Sequence, residues 1–182
     1  MSRTDARIRY TQGVLKQALL SFLQEKPINK ITVKEVCERA ELNRATFYAH
    51  YSDCFALLES IEEDLLEAFQ QSLKLVDSFD VTALIEAIYT MIERQREACR
   101  VLIFQNVCPN VLRRMISLAH DESIAYWRRS LRHITEAELE MLYTHLSNGL
   151  MHVVAEGYEK YGREEVVRFV NRIVQCSLSQ FQ

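Results

Sequence analysis

The sequence predicts an all-α protein of about nine helices, and three observations carry that expectation. Apolar residues recur at intervals of three and four along almost the whole chain, the period of a helix with one buried face. Gly at 4 and Pro at 2 leave few residues for building turns, so long helices joined by short links are favoured. No stretch alternates apolar and polar residues as a half-buried strand does, and no repeat or low-complexity tract interrupts the pattern.

Taken in order, Ile8, Val14, Leu15, Leu19, Phe22 and Leu23 define a helix from Arg7 that Pro27 closes. Thr32 is a good N-cap, and Glu35 three residues on completes a capping box. Val33, Val36, Cys37 and Ala40 then give a short helix, Glu41-Leu42 a tight link, and Asn43 a cap for a third helix through Ala49. A long helix, a short helix, a brief turn and another short helix is helix-turn-helix grammar. Phe55, Leu58, Ile61, Leu65, Phe69, Leu73 and Val76 mark a long fourth helix. Asp80 caps a fifth over 81–98, and Pro109 opens the next in the first-turn position proline favours; that segment, 110–133, is helical but irregular. Thr135 and Glu138 form a second capping box, Gly162 ends that helix as its C′ residue, and a last helix runs from about Glu164 to Phe181.

The chain of 182 residues is long enough to bury a sizeable core, and 48% hydrophobic with 26% charged residues is the balance of a soluble globular protein. No apolar run is long enough to span a membrane, and "MSRTDARIRYTQ" has charge without the apolar core of a secretory signal. Five cysteines, Cys37, Cys54, Cys99, Cys108 and Cys176, are odd in number and widely spaced, which predicts buried free thiols in a reducing cytoplasm. The net charge of -3 conceals an asymmetry. Residues 1–55 carry nine Lys/Arg against six Asp/Glu, and the remainder 13 against 19. A basic front on an acidic body suggests an anionic partner for the front.

The stretch "NRATFYAHYSD", Asn43 to Asp53, packs Phe47, Tyr48, Tyr51, Arg44 and His50 into eleven residues. As a recognition helix it offers Arg44, Ala45, Thr46, Tyr48, Ala49 and His50 outward while Phe47 turns to the core. Asn, Thr, Tyr and His side chains suit phosphate oxygens, and an arginine near the helix N-terminus suits a guanine edge. Ala45 and Ala49 let the backbone approach the groove floor. The plainer alternative is that Tyr48 and Tyr51 are half-buried and His50 is a surface residue.

At these residues a resemblance emerges. From about Arg9 to Ala68, and most clearly in "ITVKEVCERAELNRATFYAHYSDCFALL", the chain resembles the N-terminal domain of the TetR family of transcriptional regulators, with wording like that of members from low-GC Gram-positive bacteria. The match runs through Ile31-Thr32-Val33, Ala40, Leu42, Thr46-Phe47-Tyr48, His50-Tyr51 and Leu57-Leu58, about a third of the chain. It implies a DNA-binding head over 1–53, extending to about 68 in the family form with the helix-turn-helix at about 32–51, and a regulatory and dimerisation body over 54–182. It implies DNA contacts from Thr32, Arg44, Thr46, Tyr48 and His50, flanked by Asn43 and Ala45, with Tyr51 packing the recognition helix onto the fourth. The sequence departs from the family at Cys54, where many members carry a phosphate-gripping lysine; losing that charge lowers phosphate affinity, although the helix N-terminus still offers backbone N–H groups.

One recognition helix reads few base pairs, so a dimer reading two half-sites is expected. Leu139, Leu142, Leu146, Leu150, Val153 and Val154 form one apolar stripe and Phe169, Val170, Ile173 and Val174 another, together able to build a four-helix bundle across a homodimer, unless both stripes close the core of a single chain. By the resemblance, the middle helices enclose a ligand pocket for which Tyr89, Cys99, Phe104, His120, Tyr126, Trp127 and His152 are candidates. "SNGLMHVVAEGYEKYG" resembles the C-terminal domain of a Gram-positive subgroup in which the input is sometimes another protein.

No catalytic constellation can be assembled: there is no Gly-rich phosphate loop, no H-E-x-x-H and no Ser/His/Asp arrangement. His145 and His152 can share a helix face, but without a carboxylate in register they make no metal site, and no cofactor is expected. The sequence is therefore expected to encode a cytoplasmic, nucleoid-associated regulator, most simply a repressor released from a pseudo-palindromic operator by a small-molecule or protein effector. The rival is a helical adaptor acting through a partner protein.

Overall fold

The computed structural model describes residues 3–74, 81–105 and 107–181. Among them run α1 (Arg3–Leu23), α2 (Val33–Arg39), α3 (Arg44–Tyr48), α4 (Cys54–Lys74), α5 (Val81–Arg94), α6 (Arg96–Cys99), α7 (Pro109–Ser130), α8 (Glu136–Lys160) and α9 (Arg163–Leu178), with no strand. Single 3-10 turns occupy Ile28–Lys30 and Ser179–Phe181. The all-α class expected from periodicity and the scarcity of breakers is the class found. The expected Asp80 cap and the turn containing Val76 lie outside the described residues.

One element differs. The single helix expected over 81–98 stops at Arg94, restarts as α6, and passes into a π turn over Arg100–Phe104 closed by the Gln105 N–H donating to the Arg100 carbonyl at 2.9 Å. No Gly or Pro marks this change of winding. Its wider turn carries Val101 and Leu102, both fully buried, so the local geometry is set by packing rather than by a breaker.

The chain forms two compact units, residues 1–65 with 97–107 and residues 66–96 with 108–182. The first unit extends beyond the head expected at 1–53 because the opening turns of α4 supply its core through Leu57, Leu58, Ile61 and Leu65. Leu15, Leu19, Val36 and Phe47 of the same unit are also fully buried, each contributing roughly 1.5–3 kcal/mol. Lys16 ties α1 to α4 by donating to Asp64 Oδ2 at 2.6 Å and to the Ser60 carbonyl at 3.4 Å. Arg39 of α2 lies 4.3 Å over the Phe22 ring and donates to Ser21 Oγ at 2.9 Å, fixing α2 against α1.

The second unit packs α5, α7, α8 and α9. Arg163 at the start of α9 bridges to Glu86 and, at 3.2 Å, to Glu93 on α5, with its guanidinium 5.7 Å from the Tyr89 ring centre. Two glycines matter here. Gly157 lets α8 approach α9 so closely that an added Cβ would lie 2.6 Å from Val166 Cγ2, and Gly162, at φ +74°, makes the left-handed turn between these helices. No helix among the described residues is long and apolar enough to cross a membrane.

Candidate nucleic-acid interface

Both short helices of the head are fixed by their caps. At α2 the Thr32 N–H donates to Glu35 Oε2 at 2.9 Å while the Glu35 N–H donates to Thr32 Oγ1 at 3.3 Å, the reciprocal bonds of the expected capping box. The Lys26 ammonium, 2.6 Å from Glu35, and the Thr32 donors hold that carboxyl down at about 2. α2 ends in a Schellman arrangement: the Leu42 N–H donates to the Cys37 carbonyl at 2.9 Å and the Glu41 N–H to the Glu38 carbonyl at 3.3 Å. The residue that makes the turn is Glu41, at φ +54° in the left-handed region where glycine is usual. Asn43 then caps α3, its Oδ1 accepting from the Thr46 N–H at 2.7 Å and from Thr46 Oγ1 at 2.9 Å.

These caps present α3 with one face in and one out. Phe47 is 0% exposed and meets the Tyr51 ring at 5.9 Å, whereas Tyr48 is 57% exposed and stands edge-on to Phe47. Asn43, Arg44, Ala45 and Ala49 are exposed, and Thr46 and His50 half-buried. Tyr51 is buried, with its hydroxyl 3.4 Å from Ser60 Oγ, so it joins the end of α3 to α4. Arg44 has no ion-pair partner among the described residues. Lys30 has none either, and is exposed two residues before Thr32, close enough to serve the same surface. Lys30 is not among the contacts that the sequence implies. Its only signal was a charge in the link before a capped helix.

The start of α4 departs from a phosphate grip. Cys54 is 4% exposed and burial pushes its thiol up to about 11, so it offers no charge to solvent. Asp53 Oδ1 accepts from the Ala56 N–H at 2.8 Å, which places a carboxylate on the very donors expected for an anion. Cys37 and Cys99 are buried as expected, whereas Cys108 is half-buried and Cys176 exposed, because the outward side of α9 carries position 176.

In the second unit a cavity of about 90 Å³ opens among α5, α7, α8 and α9, lined by Trp127, Tyr143, Ser123, Ser147, Leu146 and Val174 among others. Of the seven pocket candidates, only Trp127 lines it. Tyr89 is buried beneath Arg163, Cys99 and Phe104 belong to the first unit, Tyr126 is half-buried off the cavity, and His152 is exposed, facing the Asn148 carbonyl of its own helix at 2.7 Å. His120 sits behind the wall, its ring edge-on to Tyr143 at 4.9 Å. The nine residues expected at a dimer face also divide. Leu139, Leu146, Val170 and Val174 are already buried within one chain and build its own core. Leu142, Leu150 and Val153 are half-buried, while Phe169 and Ile173 are 40% and 37% exposed on the outward side of α9.

No protein-family model matches the chain. An HTH-type transcriptional regulator of Bacillus subtilis, YxbF, is 32% identical over 84 residues, and the match covers 46% of this chain and 21% of that protein. Among solved structures, a TetR transcriptional regulator from Streptococcus agalactiae superposes with a TM-score of 0.67 at 22% identity, covering 94% of this chain and 97% of its own. A transcriptional regulator from Pseudomonas aeruginosa gives 0.63 at 14% identity, covering 94% and 93%. The dihydroxyacetone kinase operon activator DhaS gives 0.56 at 14% identity, covering 94% and 98%. The fold is that of the TetR-type transcriptional regulators. The helix-turn-helix, with its capped and half-exposed third helix, is the head of that fold.

Proposed function

We propose that the protein is a sequence-specific DNA-binding regulator that acts as a homodimer on a pseudo-palindromic operator. The observation that carries this reading is the split of α3, with Phe47 wholly buried and Arg44, Ala45, Tyr48 and Ala49 turned to solvent. Arg44 reads a base edge, Tyr48 and His50 grip phosphates, and Ala45 and Ala49 allow close approach to the groove. Thr32 and Thr46 give their hydroxyl protons to Glu35 and Asn43 within the caps, and the Asn43 amide nitrogen keeps donors for a phosphate. Lys30 adds a phosphate contact that offsets the uncharged Cys54. Phe169 and Ile173 of α9, with Val153 of α8, form the dimer contact, and filling of the cavity in the second unit changes the spacing of the two heads.

An effector shifts such a population only by binding its two forms unequally. Repression is the simplest outcome, since a dimer on an operator obstructs transcription. A second reading, an adaptor or activator working through a partner protein, draws support from the carboxylate and buried thiol at the start of α4 and from the likeness to an operon activator.

Selection from randomised duplex DNA tests the proposal. It predicts an enriched inverted repeat whose half-sites lie a helical turn or more apart, with one guanine preference relaxed by Arg44→Ala. Enrichment of no motif sinks the DNA reading and favours the adaptor.

A further inference from the structure

The cavity of the second unit defines the chemistry of its guest. Among the described residues, no Asp, Glu, Lys, Arg or His lines it. The walls are hydrocarbon from Ile85, Ile88, Met115, Leu146 and Val174, with a few polar groups from Ser123, Ser147, Tyr143 and Trp127. Tyr143 has already committed its proton, donating to the Ile116 carbonyl at 2.5 Å. Ser147 Oγ is buried and makes no hydrogen bond among the described residues. A buried hydroxyl left so is costly, and a guest that supplies its partner recovers that cost. A charged guest finds no counter-charge and loses its hydration without return. Met115 and Met151 on the wall are unbranched and adjustable, and the partly exposed Leu84, Leu150 and Met151 mark the way in.

We propose that this cavity is a binding site for a compact, uncharged, mainly hydrocarbon molecule bearing one hydroxyl or carbonyl oxygen, which hydrogen-bonds to Ser147. At about 90 Å³ it holds roughly four non-hydrogen atoms, given that a dry cavity of about 150 Å³ takes the six of benzene. The inference deepens the effector reading above, on which it rests for its regulatory meaning but not for the binding itself.

The single tryptophan of the chain, Trp127, lies in the cavity wall and reports its filling. The full-length protein is titrated with propan-1-ol, and in parallel with propanoate and propylammonium, while Trp127 fluorescence and the thermal midpoint are followed. Propan-1-ol should give a saturable fluorescence change and a raised midpoint, and the two ions neither. Ser147→Ala should weaken the alcohol about fivefold, the loss of one neutral hydrogen bond, while raising the midpoint of the free protein because the unpaired hydroxyl is gone. Ala119→Leu, which adds hydrocarbon to the cavity, should abolish the response. A linear, unsaturable response, equal binding of an ion, or an affinity unchanged in Ser147→Ala overturns the proposal. The readout needs no DNA. Failure of operator binding with the alcohol response intact refutes the regulator reading alone, and the reverse pattern refutes this assignment alone.

Discussion

Phe47 and Tyr48 are adjacent aromatic residues whose surroundings give them opposite tasks. Phe47 has no exposed surface, so Phe47→Ala leaves a cavity beneath α3 and should cost about 3–5 kcal/mol in denaturant unfolding. Tyr48 is more than half exposed, so Tyr48→Ala should change stability by less than about 0.5 kcal/mol. It should nevertheless remove most sequence-specific DNA affinity, and a Tyr48→Ala protein that unfolds early contradicts the assignment of that ring to solvent. His120 makes a residue-scale prediction about pH. Its two ring nitrogens lie 2.8 Å from Glu140 on α8 and Asp121 on its own helix, and only the imidazolium donates to both. The hydrogen bond to Glu140, then that to Asp121, raises its pKa above the ordinary 6.5, and the facing Tyr143 hydroxyl stays neutral because burial pushes it up to about 12. A folded value above the unfolded one means stabilisation fully present below the ordinary 6.5 and lost as pH rises through the raised value. The thermal midpoint of the native protein should therefore exceed that of His120→Gln most at mildly acidic pH. A gap that widens toward alkaline pH refutes the link.

The turn between α2 and α3 depends on a glutamate in a glycine's conformation. The left-handed cost at Glu41 is of order 1 kcal/mol, partly offset in Glu41→Gly by the greater freedom of an unfolded glycine. Glu41→Gly should be neutral to stabilising, and Glu41→Val destabilising by about 1–3 kcal/mol, both read from chemical denaturation. The α8–α9 contact has the opposite tolerance. Val166 is β-branched and cannot swing away from a Cβ at Gly157, so Gly157→Ala should cost about 1–3 kcal/mol by overpacking. A neutral result there places the two helices further apart than described. The features legible in the sequence were those that act locally: the capping boxes at Thr32 and Thr135, the Asn43 cap, Pro109 in the first turn of α7 and the turn at Gly162. The π turn after Cys99 was not, because it lacks a breaker residue and follows from burying Val101 and Leu102. The cavity lining was not either, apart from Trp127. Which side of α7 or α8 faces a void depends on where α5 and α9 lie, and a single helix's periodicity marks Leu146 and Val174 only as apolar.

At the scale of the molecule, the helix-turn-helix head and the helical body have separate chemistries, an exposed cationic and aromatic surface in one unit and an uncharged cavity in the other. The apolar stripes of α8 and α9 were expected to serve a dimer as a whole, yet about half of their residues close a single chain's core, leaving Phe169 and Ile173 outward. Everything at this scale depends on whether the α3 surface recognises DNA by sequence. A salt titration tests it most directly, with the native protein and Tyr48→Ala each binding a labelled fragment from upstream of its own gene against random competitor DNA. Competitor-resistant binding with a steep fall in affinity as salt rises, lost in Tyr48→Ala, is the expected result. Weak binding indifferent to sequence and unchanged in Tyr48→Ala would contradict it.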